Sequence, residues 1–315
     1  MRRPPWPVAV VLLSLIAPSA GAGPTGYAAT FDPASADSYR LLSIDLATGT
    51  TTAVGRIGFV DVEGLAVAPE GTIYGVADGN KTLITINPFN GRGTAVGGQN
   101  GNLGLSGQGV GQFDSLDFGL TFSCDGRLWL SSDTTDMLWS VNRNTGQATL
   151  VGSLGKHMSG LAANSDGIYG IGTTGDDGLY RIDVGTETAT TAVSPSVTRV
   201  GAGLGGQASS VDAGLDFDNA GVLWAILDHS PPENNRPSDI VQIDLSTGAA
   251  RFIATTLPEV EGLAIAPVRP CGMPMPGGDI PQIPAAAPPA WLALGLGVFL
   301  LGLLAVRLRL TSALG

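Results

Sequence analysis

The chain is poor in several residue types on which common protein classes depend. Its 315 residues include two cysteines and two histidines, and the cysteines do not have the Cys-x-x-Cys spacing of a structural zinc site. Apolar residues at helical spacing are missing outside the two ends, which argues against a helical bundle. Lysine and arginine total 16 against 27 aspartates and glutamates. This shortage of positive charge argues against a nucleic-acid partner, whose binding needs a basic face.

The amino-terminal residues 1–22 have the layout of a signal peptide. Arg2 and Arg3 give a basic start, an apolar run from Val8 to Ala17 follows, and small residues precede position 23. An apolar run of this length is too short to span a bilayer, which takes roughly 20 residues. We therefore expect an exported chain whose mature form begins at residue 23.

The carboxyl-terminal residues predict a membrane anchor. Residues 271–289 form a Pro/Gly/Ala-rich linker, and residues 290–306 are a run without charge, near the lower length limit for a spanning helix. The final residues, 307–315, include Arg307 and Arg309, which favour the cytoplasmic side. The body of the protein would then lie outside the inner membrane.

The segment from Ile280 to Leu310 resembles the sorting tails of bacterial surface proteins of the PEP-CTERM and IPTL-CTERM types. It shares with them a short proline-containing motif, one apolar helix and terminal arginines, although its motif reads IPQIPAAAPPAW. The resemblance implies an exosortase-like processing enzyme as a partner, which would cut off or exchange the helix. The expected location is the inner membrane facing the periplasm, or the cell surface or the medium after processing.

The body between these ends is strongly acidic and rich in glycine. Residues 23–270 contain 12 lysines and arginines against 26 aspartates and glutamates, a formal charge of −14. The whole chain contains 46 glycines. An acidic surface is compatible with cation binding and equally with solubility outside a cell.

Two short phrases recur along residues 23–270 and predict the fold. The first is a strand, a tight glycine turn and a second strand, and the second is another hairpin with an Asn-Gly or Thr-Gly turn. The first phrase reads EGLAVAPEGTIYGV (63–76), FGLTFSCDGRLWLS (118–131), SGLAANSDGIYGI (159–171) and AGLDFDNAGVLWAI (213–226). The second reads LITINPFNGRGTAVG (83–97), LWSVNRNTGQATLVG (138–152), LYRIDVGTETATTAV (179–193) and IVQIDLSTGAARFIA (240–254). Two hairpins per unit give a four-stranded antiparallel blade.

The repeat that begins at Glu261 stops after one strand, and the amino-terminal part of the body supplies what is missing. GLAIAP (262–267) matches an inner strand, GYAATFD (26–32) a second strand, and YRLLSIDLATGTTTAVG (39–55) the last hairpin. We therefore predict an all-β, five-bladed β-propeller in which the two ends of the body share one blade. Strands hidden in the long glycine-rich connections would raise the count to six.

The phrases GLA-x-x-P-x-G-x-I-Y-G and I-D-x-x-T-G-x-x-T-x-V-G resemble the repeats of secreted bacterial propellers. They are loosely similar to NHL repeats and to gluconolactonase/regucalcin-like repeats. The resemblance covers nearly all of residues 26–267. It implies the propeller architecture and carries over no activity, because one fold hosts many functions.

Carboxylates recur in the connections expected at one face of the propeller. The candidate ligand-binding residues at the mouth of the central channel are Glu63, Asp117, Asp212 and Glu261. The candidate metal ligands are Asp61, Glu63, Asp212 and Glu261, with Glu259 nearby. Converging carboxylates suit calcium, and they could also supply the acid and base of a glycosidase. The alternative is that these acids cap strand ends and stay solvated.

Cys124 and Cys271 both follow first strands, so we expect them at the opposite face, where a disulfide between them would tie down the tail. The favoured function is a non-catalytic surface propeller that binds a surface protein or a glycan through its acidic face. Two alternatives stay open: an extracellular glycosidase or lactonase, and a purely structural component of the envelope. His157 and His229 also fall in connections of the acidic face.

Overall fold

The body forms five four-stranded antiparallel sheets arranged as the blades of a propeller. A computed structural model describes residues 23–31, 39–97, 103–104, 118–172, 175–176, 178–185, 194–205, 212–229 and 236–267, without the side chains of Asn80 and Glu261. In each sheet, neighbouring strands follow one another along the chain, except in the sheet that joins the two ends of the body. The predicted five-bladed propeller is confirmed.

The strands are numbered in chain order. They are β1 (Thr25–Phe31), β2 (Tyr39–Asp45), β3 (Thr50–Arg56), β4 (Val62–Val67), β5 (Ile73–Ala77), β6 (Thr82–Ile86), β7 (Gly93–Ala95), β8 (Phe118–Phe122), β9 (Leu128–Ser132), β10 (Met137–Val141), β11 (Ala148–Ser153), β12 (Met158–Asn164), β13 (Gly167–Gly172), β14 (Leu179–Asp183), β15 (Ser196–Val200), β16 (Asp212–Phe217), β17 (Leu223–Asp228), β18 (Asp239–Ile243), β19 (Ala250–Thr255) and β20 (Val260–Ala266). A 3₁₀ turn, Asp78–Asn80, lies between β5 and β6. From the inside outwards, blade 1 is β4 to β7, blade 2 is β8 to β11, blade 3 is β12 to β15, blade 4 is β16 to β19, and blade 5 is β20-β1-β2-β3.

Blade 5 closes the ring with strands from both ends of the body. Strand β20 pairs antiparallel with β1 from Thr25↔Ala266 to Thr30↔Val260. Strand β1 in turn pairs with β2 along its whole length. The sequence prediction that the unfinished last repeat is completed by the amino-terminal strands is therefore confirmed. This pairing removes two strand edges that would otherwise be open to other chains.

The connection between the third and fourth strands begins with the same side-chain contact in all five blades. An Asp or Asn ends or follows the third strand, and its side-chain Oδ1 accepts the backbone N–H two residues later, which is an Asx turn. These contacts are Ala47 N to Asp45 at 2.9 Å, Phe89 N to Asn87 at 2.8 Å, Asn144 N to Asn142 at 2.9 Å, Gly185 N to Asp183 at 2.8 Å and Ser246 N to Asp244 at 2.7 Å. In blades 1, 2, 4 and 5 a glycine with positive φ lies four residues after that Asp or Asn and completes the turn: Gly91, Gly146, Gly248 and Gly49. In blade 3 the glycine, Gly185, lies two residues after Asp183, and β15 begins only at Ser196.

The glycine of each Gly-Leu phrase lies on the innermost strand, where neighbouring blades approach most closely. A Cβ atom at Gly64 would lie 2.6 Å from the Phe118 carbonyl oxygen of the next blade, and one at Gly119 would lie 2.9 Å from the Ser159 carbonyl oxygen. At Gly160 the corresponding contact is 2.5 Å, to the Ala213 carbonyl oxygen. Gly214 is equally crowded by the backbone of Gly262. Each Gly-Leu glycine is therefore a point where two backbones meet around the channel.

Apolar side chains fill every joint between neighbouring blades. Among the described residues they form five clusters, one each between blades 1 and 2, 2 and 3, 3 and 4, 4 and 5, and 5 and 1. Trp129 is fully buried in the joint between blades 2 and 3, and Ile44 and Leu46 are fully buried between blades 4 and 5. The core is thus a ring of five packed interfaces, and burial of this apolar surface is the main stabilising contribution.

Blade 3 departs from the sequence prediction in its fourth strand. The phrase LYRIDVGTETATTAV places that strand before residue 194, whereas the structure pairs β14 with Ser196–Val200, from Leu179↔Val200 to Asp183↔Ser196. Residues 186–193 lie outside the described residues. Both segments are rich in Thr and Val, so β propensity does not distinguish them. The prediction of a short turn at this position was wrong.

The connections after the fourth strands of blades 1 and 3 each return a leucine to the core. Leu103 is fully buried, and its carbonyl oxygen accepts the Ala148 N–H at 2.7 Å. Leu204 is 1% exposed, and its carbonyl oxygen accepts the Ala250 N–H at 3.2 Å. The GAGLGG segment (201–206), which superficially matches a dinucleotide-binding motif, thus joins blade 3 to the outer strand of blade 4 as far as it is described.

The predicted membrane helix falls outside this description. Among the described residues, no helix combines the length and the apolar character needed to cross a membrane. Residues 1–22, 271–289, 290–306 and 307–315 belong to the parts that are not described.

Alanine substitution should lower the free energy of unfolding by different amounts at a crowded glycine and at a glycine with positive φ in open space. Gly160 has an ordinary φ and no room for a side chain, whereas Gly126 has a φ of +80° and open space around it. Gly160→Ala should lower the free energy of unfolding by about 3 kcal/mol, because two backbones must separate. Gly126→Ala should cost about 1 kcal/mol, the conformational penalty alone. Urea denaturation of both variants measures the difference, and equal costs would show that space at the inner strand is not limiting.

Candidate ligand-binding end

Acidic side chains gather at the end of the ring where the inner strands begin. Two kinds of connection lie there: those from second to third strands, and those from a fourth strand to the next blade. The aspartates of this end that interact with one another are Asp61, Asp78, Asp133, Asp212 and Asp228. We call this end of the ring the acidic end. Of these five aspartates, all but Asp133 are less than 10% exposed.

A hydrogen bond made by a polar side chain crosses each joint between neighbouring blades. Glu63 Oε2 accepts the Phe118 N–H at 3.0 Å from blade 1 to blade 2, and Ser131 Oγ donates to the Met158 carbonyl at 2.7 Å from blade 2 to blade 3. Ser159 Oγ accepts the Ala213 N–H at 2.9 Å, and Asp216 Oδ2 accepts the Ile265 N–H at 2.7 Å. The Tyr39 hydroxyl donates to Asp61 Oδ1 at 3.1 Å and so joins blade 5 to blade 1. Each of these bonds pairs a buried or partly buried group that would otherwise be desolvated without a partner.

The predicted site residues differ from one another in their surroundings. Glu63 is 2% exposed and serves the joint between blades 1 and 2. Asp212 accepts the N–H of Ala213 at 2.6 Å. Asp61 has a left-handed backbone, φ 53°, and its carbonyl oxygen accepts the Asp78 N–H at 2.7 Å. Asp117 and the side chain of Glu261 lie outside the described residues.

Of the predicted metal ligands, Asp61, Glu63 and Asp212 lie within the described residues. Within the described ranges, no three or more His, Cys, Asp or Glu side chains are arranged to hold a metal ion. Calcium at a ring that includes Asp117 and Glu261 stays a prediction. Glu259 repeats the geometry of Asp61 in blade 5, with a φ of 52° immediately before the inner strand.

Asp78 is the least exposed of these aspartates, at 2%. Burial raises its pKa to about 7, Lys81 opposes that shift, and the charges of Asp61 and Asp133 and a hydrogen bond with Asp61 add to it. Lys81 Nζ lies 3.8 Å from Asp78 Oδ1, and both side chains are at most 8% exposed. At the joint of blades 1 and 2, Asp78 therefore shares a hydrogen bond with Asp61 and an ion pair with Lys81.

Asp212 lies across the acidic end from Asp78. Burial raises its pKa to about 7, hydrogen bonds from Ser159 and from the Ala213 N–H lower it, and the charges of Asp133 and Asp228 raise it further. Asp133 thus acts on both Asp78 and Asp212, which makes the set electrostatically continuous. Burying several like charges at one place costs stability unless protons or cations compensate them.

Blade 4 contributes a histidine–aspartate pair that the sequence indicated only by placing His229 in a connection. His229 Nε2 lies 2.9 Å from Asp239 Oδ2, and the side chains are 4% and 8% exposed. Arg236 Nη2 is 3.7 Å from the same oxygen. Beside them, Ser238 Oγ donates to Asp228 Oδ1 at 3.1 Å. His229 and Asp239 are ten positions apart in the sequence, and this spacing gives no signal that they are in contact.

Buried polar atoms without a hydrogen-bond partner are also concentrated here. Within the described part of the chain they are Asp78 Oδ1, Thr135 Oγ1 and Thr256 Oγ1. Asp78 and Thr135 lie in connections from a second to a third strand, and Thr256 lies between β19 and β20. All three therefore belong to the acidic end of the ring. An unsatisfied buried polar group costs about 1–3 kcal/mol, so its presence needs an explanation.

The opposite end carries Cys124, which follows β8. Cys124 is disulfide-bonded. Its predicted partner, Cys271, lies outside the described residues.

The raised pKa values predict that the protein is more stable in mild acid. Burial raises the pKa of Asp78, Asp212 and Asp216 to about 7, from 3.8 in the unfolded chain. Between these pH values the folded protein holds protons that the unfolded chain has released, so the free energy of unfolding falls as the pH rises. The melting temperature should therefore rise from about pH 8 to about pH 5. Asp212→Asn should flatten this dependence, and an unchanged slope would contradict the assignment.

Glu63 can be tested separately for its role between blades. Glu63→Gln keeps an acceptor for the Phe118 N–H, so we expect a small change in unfolding free energy, whereas Glu63→Ala should cost about 2 kcal/mol because that N–H loses its partner. Urea denaturation provides the comparison. If calcium instead stabilises the protein and Glu63→Gln abolishes that effect, Glu63 is a metal ligand as the sequence predicted.

Comparison with solved structures finds weak matches to proteins of different kinds. A gluconolactonase from Xanthomonas campestris, XC5397, is 13% identical, with a TM-score of 0.46 over 79% of this chain and 84% of its own. Virginiamycin B lyase from Staphylococcus aureus is 14% identical, with a TM-score of 0.41 over 77% and 75%. A chain of the nidogen/laminin complex is 12% identical, with a TM-score of 0.47 over 78% and 100%. No family model and no curated protein matches the chain. The blade topology of this chain itself establishes the propeller, and these low similarities carry no activity over.

Proposed function

We propose that this protein is a non-catalytic, exported propeller that binds a ligand through its acidic end. The observation that supports this most directly is the coincidence of two features at one end of the ring. The buried aspartates that interact with one another lie there, and so do all the unsatisfied buried side-chain oxygens of the described residues. The described polar side chains that bridge the joints are paired. Buried oxygens without a hydrogen-bond partner at a negatively charged end of the ring suit a ligand that brings donors and positive charge.

The ligand class is a surface protein or a glycan that carries cationic groups. The formal charge of −14 on residues 23–270 would attract such a ligand over a distance of about a Debye length, which is about 8 Å at physiological salt. Export through the signal peptide at 1–22 and anchoring or sorting through 290–306 are part of the proposal. Calcium at the channel mouth would be an additional bridge between the acidic end and the ligand.

A hydrolase is the second candidate, and the His229–Asp239 pair favours it. A carboxylate that orients a histidine is a recurring feature of general-base catalysis. Chromogenic glycosides and lactones would then be cleaved, and His229→Ala and Asp239→Asn would both abolish the cleavage. A binding protein would show no turnover in either form.

Binding of a basic peptide tests the favoured function. We expect the purified protein to bind a peptide of alternating lysine and leucine in calorimetry, with an affinity that falls as salt is added, and not to bind the matching glutamate peptide. Asp133→Asn should weaken binding several-fold, because Asp133 connects Asp78 to Asp212.

Asp166→Asn is the matched control, since Asp166 is exposed in the turn between β12 and β13 at the opposite end. Equal loss in the two variants, or equal binding of the two peptides, would contradict a specific acidic site.

A further inference from the structure

Blade 5 differs from the other blades at the end of the ring opposite the acidic end, which we call the base. In blades 1 to 4 a turn of the main chain at the base joins the first strand to the second. In blade 1, for example, the Gly71 N–H donates to the Ala68 carbonyl oxygen at 2.8 Å. In blade 5 these two strands are β20 and β1, which come from opposite ends of the body, so no turn joins them.

Strand β20 is held in the ring by its ladder with β1, by apolar packing and by a hydrogen bond across the joint to blade 4. That hydrogen bond runs from the Ile265 N–H to Asp216 Oδ2 at 2.7 Å, close to the base. A strand end that no turn fixes opens locally more readily than a hairpin does. Because β20 also closes the ring, the base of blade 5 is the place where the propeller would first come apart.

The turn that carries Cys124, by contrast, is fixed to the core of blade 2. Ser123 Oγ donates to Asp125 Oδ1 at 2.5 Å and accepts the Nε1–H of the fully buried Trp129 at 2.8 Å. On the other side of the turn, Arg127 Nε donates to Asp125 Oδ2 at 2.6 Å. A group bonded to Cys124 is therefore attached to a rigid part of the base.

The chain itself offers one partner for Cys124. Cys124 is disulfide-bonded, and the other cysteine of the sequence is Cys271. Cys271 follows Ala266 by five positions, which span at most about 18 Å, and a disulfide joins Cα atoms about 5.5 Å apart. Packed sheets lie about 10 Å apart, so the base of blade 2, two blades away from blade 5, is about 20 Å distant and within reach.

We propose that a disulfide between Cys124 and Cys271 takes the place of the missing turn, fastens the end of β20 to blade 2 and makes closure of the ring sensitive to reduction. A dithiol opens this bond by thiol–disulfide exchange: the dithiol becomes a cyclic disulfide, and its two electrons and two protons pass to the two protein sulfurs, which become thiols. Noncovalent contacts alone then hold the end of β20. This device is independent of the ligand of the acidic end.

Peptide mapping and hydrogen exchange on the full-length protein test the proposal. Digestion without reductant should give a peptide that contains Cys124 joined by a disulfide to one that contains Cys271. After treatment with dithiothreitol, the amides of β1 and β20 should exchange several-fold faster, because the end of β20 opens more often. The amides of β13 should be unchanged, since blade 3 has its own turn at the base and does not adjoin blade 5.

Cys271→Ser is the matched control. Without reductant it should show the fast exchange of β1 and β20, and dithiothreitol should have no further effect on it. Unchanged exchange of β1 and β20 after reduction of the unmodified protein would overturn the proposal. So would equal acceleration in β13, which would mean that the disulfide stabilises the whole ring, or a disulfide that joins Cys124 to another copy of the chain.

Discussion

The fold depends on how closely five inner strands can approach one another around a common channel. At Gly64, Gly119 and Gly160 the backbone of the next blade occupies the position that a Cβ atom would need. A larger residue would push two blades apart, and because the ring is closed, that displacement would have to be absorbed by the other joints. The apolar clusters between the blades form at the spacing that these glycines permit.

This close approach also determines what the carboxylates at the strand starts do. Where inner strands meet, their N–H groups lose contact with water. Glu63 supplies an acceptor for the first N–H of β8, and Asp216, near the end of β16, supplies one for the Ile265 N–H near the end of β20. Burial that serves the ring raises the pKa of Asp216, Asp78 and Asp212 to about 7. The acidic end is therefore partly a structural consequence of the fold.

The architecture could be predicted from the sequence because its signals are local and repeated. The Asx turn after each third strand and the glycine of each Gly-Leu phrase recur in every blade, and their spacing alone indicates four strands per unit. The fourth strand of blade 3 could not be predicted, because two Thr/Val-rich segments compete for one position. The role of Glu63 was also hidden, since it depends on an N–H group 55 residues away. The same holds for Asp78, which the sequence places in a connection without showing that it would be buried.

The pairing of β1 with β20 has a geometrical consequence for how the molecule faces its surroundings. Thr25 lies opposite Ala266, so the first strand begins and the last strand ends at the same end of the propeller. That end also carries Cys124, and it is the one opposite Asp61, Asp78 and Asp212. Under the proposed attachment through residues 290–306, Asp61, Asp78 and Asp212 would therefore face away from the attached end of the ring.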